Sequence, residues 1–229
     1  MNRQGVVGAP AWAAAVCLLL AACAPTASPP GPSSGSRFSE LPADHPVLST
    51  TPAYAAQIVA TALAAAAPTT LRYADQTRRL DHTGLTADEI VADFTTGDHS
   101  EVLTAEAKRQ LADLVAAEAE TADLASTDVA PCEDDGVGGD TPTEGWHDDE
   151  GDEILVRACV HVSGTRDGHG SEDDVTTEEV WQMVVATKVP AEPDAVGTGA
   201  TSRIVPLDDE TLRAIDDSGL AWYEYVTGA

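Results

Sequence analysis

Positive charge is what this sequence has least of: 12 Lys and Arg stand against 39 Asp and Glu in 229 residues, a formal net charge of −27 at pH 7 with histidine neutral. A surface of that sign repels phosphate backbones, because nucleic-acid affinity comes largely from basic side chains that displace counterions. Nucleic acids are excluded as partners. The same excess keeps a chain soluble and attracts divalent cations or basic partners without defining a fold. Signature motifs are scarce too. No HExxH, CxxC, GxSxG or phosphate-loop pattern occurs, so the common zinc, redox, hydrolase and nucleotide chemistries lack their sequence marks. No cofactor and no catalytic residue is assigned. The length suits one modest domain with appendages, since domains usually run about 100 to 200 residues.

The one long uncharged apolar run, residues 6 to 20, follows Arg3 and contains Pro10. It falls short of the roughly 20 consecutive apolar residues of a membrane span and has the layout of an export signal. It ends in LLLAAC and gives way at once to APTASPPGPSSG. Leu20, Ala21, Ala22 and Cys23 resemble the lipobox of bacterial lipoproteins, in which a branched residue and two small ones precede the cysteine. Cys17 fits less well, because Val16 puts a branched side chain where a small one belongs. The resemblance covers residues 1 to 23 only. It implies a signal peptide over 1 to 22, cleavage before Cys23, a diacylglycerol on the Cys23 thiol, and a protein held on the extracytoplasmic face of the cell membrane. Each buried methylene contributes about 0.8 kcal/mol, so one acyl chain holds a protein marginally and two make a lasting anchor. Residues 24 to 50 carry Pro25, Pro29, Pro30, Pro32, Pro42 and Pro46 among serines and glycines. Such a stretch buries too little apolar area to order itself. A disordered tether is expected over 23 to 50.

Of the four cysteines, Cys17 leaves with the signal and Cys23 takes the lipid, which leaves Cys132 and Cys159. In an oxidising compartment that pair is expected to form a disulfide, closing a loop of about 28 residues and contributing roughly 3 to 4 kcal/mol.

Residues 51 to 229 read as one α+β domain. Pro52 suits a first helical position, and Tyr54, Ile58, Val59 and Leu63 recur at helical spacing until Pro68 stops the run. Residues 71 to 80, LRYADQTRRL, fit a helix or an extended segment equally well. They carry Arg72, Arg78 and Arg79, which either hold an anionic ligand or pair with neighbouring acids. Thr86 and Glu89 have capping-box spacing, with Leu85 and Ile90 as the staple, so a helix is expected through about residue 95. Another, capped by Thr104, is expected over 105 to 123, with Ala107, Leu111, Leu114, Val115 and Ala122 on its apolar stripe.

Residues 133 to 153 read as an acidic loop. Asp134, Asp135, Asp140, Glu144, Asp148, Asp149, Glu150, Asp152 and Glu153 are oxygen donors of the kind calcium takes, yet the EF-hand spacing does not fit. EILVRACVHV and VWQMVVATKV then alternate as two half-buried strands of a long hairpin. A short strand at 203 to 205, a helix capped by Asp208 and stapled by Leu207 and Leu212, and a last strand over 220 to 226 are expected to follow. Helices first and strands later predict N-terminal helices packed on a curved antiparallel sheet of three to five strands. That outline resembles the cone-shaped nuclear-transport-factor-2-like fold.

The six histidines are scattered, with no pair at i, i+4, and no metal is assigned to them. The expected function is that of a non-enzymatic interaction module of the cell envelope, reached through the lipid anchor and binding another envelope protein. The alternative is a lipoprotein that binds a small ligand or divalent cation, using a pocket in the curled sheet or the acidic loops. A third reading, an envelope hydrolase, requires convergent carboxylates or a histidine-centred array.

Overall fold

A computed structural model describes residues 37–96, 102–120, 124–132, 143–166, 175–189 and 199–228. The chain divides into two units, Met1–Ser36 and Arg37–Ala229, and every described residue belongs to the second. The leader, Cys23 and the first part of the expected tether lie outside the described residues.

The fold is organised by two 14-residue strands, β6 (Glu153–Arg166) and β7 (Val175–Lys188), paired antiparallel without a break from Glu153↔Lys188 to Arg166↔Val175. The long hairpin expected from the alternating sequence is therefore present. The other edge of β6 is shared. β5 (Glu144–Asp148) pairs with its first half and β4 (Leu124–Pro131) with its second, so these two strands lie end to end along one neighbour. Beyond β4 come β2 (Thr69–Tyr73) and, at the rim, β3 (Gln76–Leu80); β1 (Phe38–Glu40) adds to β5, and β8 (Thr201–Pro206) to β7.

This makes an open sheet of eight strands, more than the three to five expected, and it is mixed. β2 and β4 run parallel. A parallel pair needs a crossover of a dozen or more residues, and the chain between them supplies one through α2 (Ala87–Thr96) and α3 (Ala105–Ala119).

One face of the sheet is covered by α1 (Pro46–Leu63) with α2 and α3. Ile58, Val59, Leu111 and Val115 pack there on Val129, Val160, Met183 and Val185 in a single buried cluster. A second cluster lies on the opposite face, where Leu155, Val184 and Ala186 meet Phe38, Leu207, Ile215, Trp222 and Tyr223. α4 (Asp209–Ser218) and α5 (Trp222–Thr227) supply its cover. The strands read as half-buried are thus buried on both faces around Leu155 and Val184, each fully enclosed.

Several boundaries differ from the expectation, each for a local reason. The structure begins inside the segment read as tether: Phe38 is buried against Tyr223, ring centroids 5.3 Å apart, and Leu41 is buried too. α1 starts at Pro46, not Pro52. Pro46 fits a first turn whose N–H groups lack partners in any case, and the Val47 amide donates to His45 Nδ1 at 3.4 Å. Pro52 remains inside the helix at the cost of one backbone bond, which the fully buried stripe of Ala55, Ala56, Ile58 and Val59 offsets by packing.

Residues 71 to 80 form most of the β2–β3 hairpin, turning through Ala74 in the left-handed region at φ 50°. Within the segment read as an acidic loop, Glu144–Asp148 is β5. β4 was not expected at all, and α3 stops at Ala119, leaving Ala122 outside the described residues. The last strand is instead α5. Trp222, Tyr223 and Val226 all belong to the second cluster, a helical spacing that β-propensity concealed, and Glu224 Oε2 accepts from the Ala221 amide at 3.2 Å to start the helix.

The three expected caps are in place, Thr104 Oγ1 accepting from the Ala107 amide at 3.2 Å. The Thr86 amide donates to Glu89 Oε2 at 2.9 Å and the Glu89 amide to Thr86 Oγ1 at 3.3 Å; the Thr211 amide donates to Asp208 Oδ1 at 2.7 Å. Hydrogen bonds from the Thr211 backbone and side chain hold the Asp208 carboxyl below its ordinary range. A depressed folded-state value means that the cap's stabilisation is whole above the unfolded value and is lost as pH falls through the lowered one. Two outcomes are expected. Met183→Ala, which empties a fully buried site, should cost about 2 to 5 kcal/mol in urea unfolding, while Val180→Ala on the exposed part of the same strand should stay within about 0.5 kcal/mol. The difference between wild type and Asp208→Ala should be constant around neutral pH and shrink on acidification below about pH 4; a difference that grows there contradicts the cap.

Candidate functional site

The β2–β3 hairpin sorts the three candidate arginines. Residues directly opposite in an antiparallel pair share a face. Arg78 is opposite Leu71, so it lies with Leu71 on the side of α1; Arg79 is opposite Thr70 and Arg72 opposite Thr77, on the other side. The sequence cluster is not a spatial one. Arg72 Nη2 stands 3.3 Å from Asp128 Oδ1, both side chains about half exposed, a pair contributing roughly 0 to 1 kcal/mol. Arg79 adds its field to that of the Thr83 hydrogen bonds, which chiefly hold Asp81 below its usual range. Arg78 makes no ion pair and no hydrogen bond among the described residues.

Arg78 instead borders a groove of about 230 Å³ between α1 and the hairpin. Leu71 and Ala53 line its apolar part, Tyr54 and Tyr73 its aromatic part, and Gln57 and Gln76 are polar neighbours of Arg78. A second hollow of about 500 Å³ shares Ala53 and Tyr73 with the first and runs toward Leu48, His45 and Cys132. Tyr73, 41 % exposed, stands where the two meet.

Cys132 and Cys159 are bonded, with Cα atoms 5.4 Å apart. The bridge sits where β4 ends and β5 has not begun, and the Cys132 amide also donates to Cys159 O at 3.2 Å. It pins the interruption in that edge of the sheet.

Among the described acids of the segment 133 to 153, Glu144, Asp148 and Glu153 are engaged within the fold, while Glu150 and Asp152 are exposed. Glu144 Oε2 accepts from Trp222 Nε1 at 3.0 Å, and Asp148 Oδ1 accepts from the Asp152 and Glu153 amides. Glu153 pairs with Arg203 at 2.5 Å and accepts from Ser202 Oγ, while Arg203 Nη1 reaches Val226 O at 3.2 Å. That network ties β6, β8 and α5 together. Arg157 donates to Gln182 Oε1 through Nε at 2.9 Å and also through Nη2; burial lowers its pKa, and the Glu144 and Asp216 charges pull it back up. Asp134, Asp135 and Asp140 lie outside the described residues. Among the described ones, no three His, Cys, Asp or Glu side chains come together as a metal site. His45 caps α1, and His82 and His147 place Nδ1 at 3.4 Å from Thr61 O and 3.0 Å from Asp148 O.

Sequence reasoning missed Tyr73 and Trp146. Tyr73 was masked by the ambiguity of residues 71 to 80. Trp146, read as part of a loop, stacks on Tyr223 at 4.1 Å and keeps a buried Nε1 without an acceptor among the described residues. The chain matches no protein-family model, and neither the curated proteins nor the solved structures compared with it show a match.

Replacing both Cys132 and Cys159 by serine should lower unfolding free energy by about 3 to 4 kcal/mol, read in urea titrations beside the untreated and reduced wild type. Identical midpoints for oxidised and reduced protein would remove the bridge from the stability of the fold.

Proposed function

We propose that this chain is a lipid-anchored protein of the extracytoplasmic face of the cell membrane, whose α+β domain is a non-enzymatic module that binds another envelope component. The observation that carries the reading is Leu20-Ala21-Ala22-Cys23 at the end of an uncharged apolar run, followed by a Pro, Ser and Gly-rich stretch. The Cys132–Cys159 bond supports the same compartment, because such bonds persist where the surroundings are oxidising. Among the described residues no helix is long and apolar enough to cross a membrane, and the proposal assigns attachment to acyl chains on Cys23.

The outline still resembles the nuclear-transport-factor-2-like cone in setting helices against one face of a long antiparallel hairpin. A ligand pocket under those helices is not part of the proposal, since Ile58, Val59, Met183 and Val185 fill that layer. Small-ligand binding is the second reading, favoured by the groove beside Arg78 and Tyr73.

The test is the fate of Cys23 in producing cells. Mass spectrometry of the membrane fraction should find the mature amino terminus at Cys23 with two or three acyl chains, and Cys23→Ser should abolish both processing and acylation. A mature chain with a bare thiol in the culture medium, or one that keeps Met1, overturns the anchor.

A further inference from the structure

We propose that the groove between α1 and the β2–β3 hairpin is an anion site, in which Arg78 holds the carboxylate or phosphate of a small ligand whose flat apolar part lies against Tyr73. The inference rests on the groove and is independent of the lipid anchor.

The first reason is how this chain uses its few cations. Arg109 is bound to Glu106 and Asp113, Arg203 to Glu153, Arg72 to Asp128, and Arg213 stands 3.7 Å from Asp209. Arg157 is committed to Gln182, and Arg37 lies over the Phe38 ring at 5.4 Å. With acids outnumbering bases 39 to 12, Arg78, like Arg79, Lys108 and Lys188, makes no ion pair among the described residues. Of these four, Arg78 lines the groove, and none of the described side chains lining it is acidic.

The second reason is what surrounds it. A free guanidinium offers five N–H donors in a planar fork that matches a carboxylate or phosphate in bidentate fashion. Gln57 and Gln76 line the same groove with amide donors, and Leu71 beside them is buried. Tyr73 offers an exposed ring at the junction of the two hollows. Asp44 lines the second hollow but not the first, which favours the anionic end of a ligand at Arg78. The first hollow, about 230 Å³, lies just below the usual small-molecule range of about 300 to 1,000 Å³; it suits one ring with its acid group, and the second leaves room for an extension.

The test uses ligand-observed saturation-transfer NMR on the full chain in detergent micelles, with benzoate and phenyl phosphate as probes and benzyl alcohol as the neutral control. At least one anionic probe should bind saturably above the control, and its identity assigns carboxylate or phosphate as the group recognised. Arg78→Gln should weaken it by about tenfold or more, as expected for loss of a hydrogen bond to a charged group. Arg79→Gln, on the opposite face of the hairpin, should leave it unchanged, and Tyr73→Ala should weaken it without removing its salt dependence. Thermal melts of each variant separate these losses from unfolding, and Arg78→Lys, which keeps the charge without the fork, should fall between wild type and Arg78→Gln. The proposal is overturned by neither anion binding above benzyl alcohol, by equal affinity in Arg78→Gln, or by an equal loss in Arg79→Gln.

Discussion

Everything in this domain leans on one hairpin buried from both sides. β6 and β7 pair over their whole length, and their side chains alternate between two separate apolar clusters. Ala158, Val160, Val162, Met183 and Val185 hold the helices that come before them in the chain; Leu155, Val184 and Ala186 hold the helices that follow. A strand buried on one face tolerates polar residues on the other, but one buried on both must satisfy two packings with a single register. A slip of one residue would exchange the clusters. The sequence meets that demand with small and β-branched side chains on either side of the pleat and confines Arg157 and Gln182 to a position where each satisfies the other.

The remaining strands are arranged by what that hairpin leaves open. β7 offers one edge to β8, whose outer side is covered by the segment 102–104 and by α3, with the Thr201 amide donating to Val102 O and the Ile204 amide to Gln110 Oε1. β6 offers the other edge to two strands in line, and the disulfide bonds the end of β4 to β6 where the first of them stops. At the far rim β3 exposes Gln76, Thr77, Arg78 and Arg79. Charged side chains on a short rim strand discourage pairing with other chains, and the same exposure leaves Arg78 over the groove. The excess of acid is distributed with similar economy: Glu89 and Asp208 cap helices, and Glu144 and Glu153 fasten α5 to the sheet. The negative charge is thus partly structural.

What was legible in the sequence follows the strength of its local signals. Helix starts with a side-chain cap, at Thr86, Thr104 and Asp208, were read to within a residue, because the donor and acceptor that define them are three positions apart. The hairpin was read from strict alternation. β4 was not, since Ser126, Thr127 and Asp128 make half of it polar and its place is set by β2 and β6, which are distant in sequence. α5 was taken for a strand because Trp222, Tyr223, Tyr225 and Val226 favour strands on their own, while the helical spacing of its buried face appears only against Phe38 and Trp146. For the groove, the arginines were visible but their division between two faces was not, since that depends on the register of β2 with β3.

The central claim, that the doubly buried hairpin is the element on which both layers depend, is tested most directly by native-state hydrogen exchange. The amides of 155–162 and 182–186 should exchange only through global unfolding, with free energies equal to that from urea denaturation, while those of α5 and β3 open at lower cost. Exchange of the β6–β7 centre at lower free energy than α1 or α3 would contradict the account, because the helices would then hold their packing without the strands beneath them.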